Sequence, residues 1–497
     1  MVLWLLSLSL VVYIIIKYVI VPFLILLSYK KQGIDCNMIP TFGHIFELKM
    51  NQKNHGDIFY KSKIMGKKNP NYLGEAFSIG SRVALHLMDP ALIRDHLKKE
   101  DLCFRALPAT ARHFLGRGGL IVTKGELWKK NRKITWRSLN PDSQSKMIPM
   151  IEDAVMKGIN RIKKAELKGK VILPELELIA GEINGQIFFG EDLNKYNFNG
   201  MPFSTAVIDI LEQIGKITKS LPYQILGDKF FELGILPSHR KLIRDCKEFR
   251  HVILTLIQEK KKNTLFFTAN DLCSLLLGTQ GLQDPNMRFS DEEILDLFIS
   301  LFFPGTQNIS LAGQMLLYCI GKYQEFLPEL KEEIANIYDK SVPLTYEALS
   351  SMDLLTGFIK EQFRFFVTSG GNLPRSAAKD HMVGNIMVKK NTIITIDPFY
   401  TFYHPKYFDA PEKFNPKRWL EKNDFEDTFV SLSFGEGPRV CIGQQLTWIT
   451  LKILACEMIK AFDQIKVPGD YKLEMTIKRR TQPKNDARLD PSAVSTG

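Results

Sequence analysis

The stretch Phe434-Gly435-Glu436-Gly437-Pro438-Arg439-Val440-Cys441-Ile442-Gly443 holds the residues of this chain with the clearest chemical use. It sets one cysteine among glycines, with a phenylalanine seven residues upstream and an arginine two residues upstream. Gly437 lets the backbone turn through conformations closed to other residues, and Gly443 permits a close approach just after the cysteine. From Gln444 to Phe462 apolar residues recur at helical spacing, which puts Cys441 at or just before a helix start. Unpaired backbone N–H groups and the positive end of the helix dipole favour a thiolate there. A thiolate on a glycine-lined loop suits an axial ligand to haem iron, where it pushes electron density toward O–O cleavage. A lone intracellular cysteine is more often a small buried hydrophobe; the filled positions around Cys441 weigh against that reading.

The pattern Phe-x-x-Gly-x-Arg-x-Cys-x-Gly is complete in Phe434, Gly437, Arg439, Cys441 and Gly443, and it resembles the haem-binding loop of the cytochromes P450. The resemblance, to the microsomal type, extends over essentially the whole chain. It implies haem b (iron protoporphyrin IX) with Cys441 as the axial iron ligand, Phe434 beside the thiolate, Gly443 under the macrocycle and Arg439 on a haem propionate. Trp128 and Arg132 stand i, i+4 on a basic helical stretch, Lys124 to Arg137, so both project from one face. By resemblance they are the tryptophan–arginine pair that holds a propionate, and Leu373-Pro374-Arg375 is the strand segment whose arginine reaches one. Lys129, Lys130, Lys133 and Arg137 are expected to face solvent, as the basic surface offered to an acidic reductase.

The positioning elements follow. Ser290-Asp291-Glu292-Glu293 reads as a capping box before an apolar helix that runs to about Ile320. The resemblance makes this the I helix, which crosses the distal face of the haem. Here the chain departs from the family pattern Ala/Gly-Gly-x-Asp/Glu-Thr. Gly305 is present, but Gln307 stands in the place of the acid and Asn308 in that of the threonine. Pro304 removes a backbone N–H and crowds the carbonyl of Ser300, so a kink is expected. Glu361 and Arg364 lie i, i+3 on a helix that begins near Leu354, a spacing of no weight by itself. With Phe414-Asn415-Pro416-Lys417-Arg418-Trp419 downstream it resembles the family's meander, which implies a buried triad of Glu361, Arg364 and Arg418. Glu75 to Leu87 alternates as a hairpin around Gly80-Ser81, and Asp89-Pro90 opens a helix to about Lys99. Phe104 to Leu120, with Pro108, Gly116, Gly118 and Gly119, reads as a long irregular loop; by resemblance it is the B–C loop, which covers the substrate in this family. Leu221-Pro222 through Phe230-Phe231 to Pro237 is an apolar, proline-bounded insert between long helices; it resembles the family's membrane-dipping F–G region, and a plain core-packing insert is the other reading.

Composition bounds the rest. The 497 residues are 45% hydrophobic, enough for a large core, and no linker or repeat divides them. Seven scattered cysteines form no CxxC pair, which argues against a disulfide framework and for a reducing compartment. The net charge of +12 lies in short clusters such as Lys260-Lys261-Lys262 and Lys478-Arg479-Arg480, suited to an anionic membrane or an acidic protein and not to nucleic acid. Val2 to Leu27 is apolar but for Lys17 and longer than the roughly 20 residues a bilayer needs. Lys30 and Lys31 follow it, which places the N-terminus in the lumen and the body in the cytosol.

The expected organisation is therefore a signal-anchor over residues 1–28, a hinge over 29–45 that includes Ile39-Pro40-Thr41-Phe42-Gly43, and a catalytic domain over 46–497. That domain is mainly α with small β-sheets, in the cytochrome P450 fold, on a single-pass protein of the endoplasmic reticulum membrane. The expected activity is a monooxygenase that takes electrons from NADPH–cytochrome P450 reductase and inserts one oxygen atom from O₂ into a lipophilic substrate. Because Gln307 and Asn308 replace the acid–threonine pair, an O₂-independent isomerase or dehydratase of lipid peroxides stands as the alternative, with a non-catalytic haem sensor or carrier behind it.

Overall fold

The Ser290 Oγ accepts the Glu293 backbone N–H at 3.2 Å, and the Glu293 carboxylate accepts the Ser290 N–H at 2.8 Å, closing the capping box. From it runs a helix over Asp291–Lys322, the central element of the computed structural model of this chain. The structure describes residues 2–39, 50, 53–54, 60–164, 172–262, 271–284, 287–338, 342–367, 373–421, 432–462 and 465. The hinge residues Pro40 to Gly43 and the basic cluster Lys478 to Arg480 lie outside them.

Helices Leu173–Phe189, Phe203–Thr218, Pro237–Lys262 and Gln444–Ala461 pack on the central one, and Pro141–Lys164 packs on the first and last of these. Close approach is set by small residues: a Cβ on Gly305 would lie 2.5 Å from Asn184 Oδ1, and one on Gly313 would lie 2.8 Å from a Leu454 methyl. The core these helices share is aliphatic and aromatic, with Leu316, Leu317, Cys319, Phe358 and Leu451 fully enclosed. Each such side chain contributes about 1.5–3 kcal/mol by leaving water.

A six-stranded sheet lies to one side, in the order Asp35–Asn37, Gly74–Ile79, Arg82–Leu87, Ile393–Ile396, Arg375–Ala377, Cys103–Arg105. The hairpin expected around Gly80 is present, with Glu75 opposite His86. Asp89 caps the helix Pro90–Lys98 by accepting the Leu92 N–H at 2.9 Å.

One local expectation is corrected. The segment Phe104 to Leu120 is not irregular throughout: it begins in the strand Cys103–Arg105 and carries the helix Ala109–Leu115, whose Phe114 packs on Phe249 and Phe303. The central helix runs unbroken over Asp291–Lys322 with Pro304 inside it.

At the N-terminus, helices Val2–Ile15 and Val21–Lys30 are joined by a π-helical turn over Ile16–Ile20 that contains Lys17. The Lys17 ammonium lies 5.4 Å from the ring centres of Tyr13 and Tyr18, which gives the charge an aromatic partner within an apolar helix. Most of this helix is exposed, and its last turns settle on the body through Leu26 and Tyr29, whose hydroxyl bonds Thr392 at 2.8 Å.

Candidate active site

The loop before the helix Gln444–Ala461 is built from a 3-10 turn, Gly437–Arg439, and a reach-back hydrogen bond from the Cys441 N–H to the Phe434 carbonyl at 2.8 Å. Gly437 has φ +71°, in the left-handed region, and a Cβ there would stand 3.1 Å from the Leu97 carbonyl; glycine suits both. Phe434 is buried against Phe363 and Trp448. Glu436 ties the loop to the helix Pro90–Lys98, 3.0 Å from Arg94 and 3.3 Å from Lys98.

Cys441 is exposed to open space yet surrounded by protein. Burial pushes its thiol up from the ordinary value, while the Gly443 N–H and the Arg132 guanidinium pull it down. A coordinated cation deprotonates a thiol outright.

Trp128, buried on the helix Gly125–Ser138, lies under Arg439 with the guanidinium carbon 4.2 Å from its ring centre. Arg439 also donates to the carbonyls of Leu120 at 3.2 Å and Thr123 at 2.8 Å. Arg132 is half-buried, its pKa lowered by desolvation and by Arg439 and raised by Cys441. So the structure brings Cys441, Arg439, Trp128 and Arg132 together. Arg375 is buried on its strand and donates to the Leu97 carbonyl at 3.3 Å. Beside it, His96 is buried and held down to about 3, by burial first and then by Arg375, His381 and Arg105.

These residues fit a haem group. Two guanidinium groups share a half-buried space near one thiol, an arrangement that a ligand carrying carboxylates relieves. A Cβ built on Gly443 meets no atom within 4 Å, so the loop leaves room beside the sulfur.

On the central helix every residue from Ile294 to Gly321 is buried except over Phe303–Asn308, where Phe303, Pro304, Gly305 and Gln307 are half-buried and Asn308 is exposed. Gln307 accepts the Ser310 hydroxyl through its backbone carbonyl at 3.0 Å. Gly305 is turned to the neighbouring helix at Asn184. No carboxylate is present between Phe303 and Ser310, so the segment offers the amides of Gln307 and Asn308 and the buried hydroxyl of Thr306, but no acid.

The structure also gathers Glu361, Arg364 and Arg418. Arg364 donates to Glu361 at 2.9 and 2.8 Å, and Arg418 donates to it at 3.1 Å. Trp419 Nε1 and the Asn415 N–H each add a bond to the same carboxylate at 2.9 Å, and Arg364 reaches the carbonyls of Phe402 and Pro411 at 2.7 Å.

Lys130 departs from expectation: its ammonium bonds the Arg288 carbonyl at 2.5 Å and lies 4.0 Å from the centre of the Phe289 ring, leaving Lys129, Lys133 and Arg137 as the exposed cations of that helix. Arg94, His96 and the carbonyls of Leu120 and Thr123 were not singled out by sequence. The cluster Gly116, Gly118, Gly119 was the available signal for that last segment.

A family model described as Cytochrome P450 matches residues 36–486. Cytochrome P450 3A18 of Rattus norvegicus is 25% identical over 478 residues, covering 92% of this chain and 90% of its own. Cytochrome P450 3A29 of Sus scrofa is 24% identical over 495 residues, covering 93% and 91%. Among solved structures, the cytochrome P450DA heme domain matches with a TM-score of 0.72 at 17% identity, over 93% of this chain and 99% of that one. The retinoic acid bound cyanobacterial CYP120A1 matches with a TM-score of 0.67 at 19% identity, over 88% and 93%. At such identities these structural matches speak for the fold alone.

Proposed function

The chain belongs to the cytochrome P450 family, and from that premise we propose a membrane-anchored monooxygenase that draws electrons from an NADPH-dependent reductase and oxygenates a lipophilic substrate. The family assignment makes it a haem-thiolate oxidoreductase. The finer reading is that the group is haem b and that Cys441 is its axial ligand. When bound, the haem iron supplies O₂ activation, with thiolate electron density assisting O–O cleavage. The observation that carries this reading is the grouping of Cys441, Arg439, Trp128 and Arg132 around one space.

The chain's own residues do the rest. Arg439, Arg132 and Arg375 hold propionates by charge-assisted hydrogen bonds, Trp128 supports Arg439, and Phe434 shields the sulfur. Asn308 and Gln307 line the distal side, where an amide orients a water but cannot itself pass a proton on as an acid does. The exposed Lys129, Lys133 and Arg137 form the surface offered to the reductase.

The anchor is proposed as residues 1–28, single-pass in the endoplasmic reticulum membrane, with a hinge over 29–45 and the catalytic domain of 46–497 in the cytosol. A 24-residue apolar helix over Ser7–Lys30 with mean hydropathy 2.7 supports this. The Tyr18 hydroxyl donates to the Ile225 carbonyl at 3.2 Å, which brings the anchor to the helix Leu221–Glu232 and its exposed Leu221, Ile225 and Leu226.

The test is NADPH and O₂ consumption with purified reductase, set against turnover of a lipid hydroperoxide without it. Reductase-dependent product formation is expected. Gln307→Asp combined with Asn308→Thr should then raise the share of electrons that reach product, since general acid–base assistance is worth about 10²–10⁴-fold in rate. Hydroperoxide turnover alone, lost in that double variant, would establish the O₂-independent reading instead.

A further inference from the structure

Asp296 sits on the central helix two turns before Pro304, 6% exposed. Its Oδ2 accepts the backbone N–H groups of Arg117 at 2.8 Å and Gly118 at 2.6 Å. Its Oδ1 stands 2.6 Å from Arg250 on the helix Pro237–Lys262. One turn further on, Ser300 Oγ accepts the Leu120 N–H at 3.0 Å. The segment 116–120 lies flush on the helix. A Cβ on Gly116, at φ +70°, would fall 1.8 Å from Asp296 Oδ1, and one on Gly119 would fall 2.6 Å from the Asp296 carbonyl oxygen.

The far side of the same segment holds the haem loop. Leu120 and Thr123 supply the two carbonyls that accept Arg439. The stretch between is cross-braced: Asn131 donates to the Gly118 carbonyl at 2.6 Å, and the Thr123 hydroxyl donates to that of Gly119 at 2.9 Å. A continuous hydrogen-bonded path thus leads from a carboxylate on the central helix to the guanidinium two residues before Cys441.

We infer that Asp296 is a positioning residue for Arg439, acting through the strut 116–123 to set where that guanidinium stands over Trp128. The inference rests on the proposed role of Arg439 as a haem-propionate ligand. The carboxylate suits this task because its bonds to N–H groups are charge-assisted and its second oxygen is anchored by Arg250. An amide at the same place keeps the shape and loses the charge.

The experiment measures haem transfer from the full-length holoprotein to excess apomyoglobin, in a double-mutant cycle. Asp296→Asn should release haem about tenfold faster than the parent. In an Arg439→Lys background, itself faster to release haem, adding Asp296→Asn should change the rate by less than about twofold, because the path it acts through is already broken. An undiminished effect of Asp296→Asn in that background, or none in the parent, overturns the inference. Should Asp296→Asn fail to fold, Ser300→Ala carries the same cycle: about threefold faster release that disappears with Arg439→Lys supports the strut, and any other pattern overturns it. An unchanged rate for Arg439→Lys alone removes the proposed role of Arg439 and the path with it. A fast Arg439→Lys beside unchanged Asp296→Asn and Ser300→Ala removes the strut only.

Discussion

Burial pushes the Cys441 thiol up and the His96 imidazole down, one cause acting in opposite directions on an acid and a base. His96 is held at about 3 against an ordinary 6.5. Below pH 6.5 the unfolded chain takes up a proton at this position that the folded protein refuses. The unfolded state binds more protons, so stability present above pH 6.5 is lost as pH falls toward 3. One such group gives a slope of about 1.4 kcal/mol per pH unit. Urea unfolding at several values between pH 6.5 and 5 should therefore show a steeper acid loss in the parent than in His96→Gln, by about that slope; parallel curves would contradict it. Neither His96 nor its setting was legible in the sequence, because Arg375, His381 and Arg105 come to it from distant strands and loops.

At the scale of elements, the Glu361 carboxylate joins the helix Asp353–Phe365 to the 3-10 turn Pro416–Trp419. Glu361 and Arg364 are fully buried, so removing one charge strands the others. Glu361→Gln should cost roughly 3–5 kcal/mol, whereas Lys417→Gln, at an exposed pair with Glu329, should cost about 0–1 kcal/mol. Denaturant unfolding of the two variants gives the comparison, and equal losses would remove the buried cluster from the stability argument. The elements legible in the sequence were those written locally: the capping box at Ser290, the hairpin around Gly80 and the helix from Gln444 each follow from near neighbours. Residues 116–120 fell within the stretch read as irregular loop because their partners lie far along the chain: Asp296 is 179 residues from Arg117, and Arg439 is 319 from Leu120. Periodicity carries no trace of such contacts. The insert after Leu221 illustrates the complementary limit. Its apolar character was plain, but Phe231 turns inward onto His113 and His239, while Leu226, Leu233 and Ile235 stay outside.

For the whole molecule, the anchor helix and this insert form one apolar side. Leu233 is 72% exposed and Leu226 55%, values that suit contact with a bilayer better than with water. Deleting residues 1–28 should leave a haem-loaded protein that still binds liposomes weakly. Leu226→Ser with Leu233→Ser in the truncated protein should abolish the remainder, since each buried aliphatic side chain contributes about 1.5–3 kcal/mol. Liposome flotation reads both, and a truncated protein already free of lipid would remove the insert from the membrane contact. Within the insert Phe231 is buried and Phe230 half-buried, which leaves the leucines among its exposed apolar side chains.

The central claim is that Cys441 is the thiolate ligand of haem iron. Its most direct measurement is the absorption spectrum of the reduced, carbon monoxide-bound protein, compared among the parent, Cys441→Ser and, as control, the variant Cys103→Ser at another cysteine on the strand Cys103–Arg105. The thiolate-type band should be present in the parent and in Cys103→Ser and absent in Cys441→Ser. A Cys441→Ser protein that retains the band would contradict the assignment.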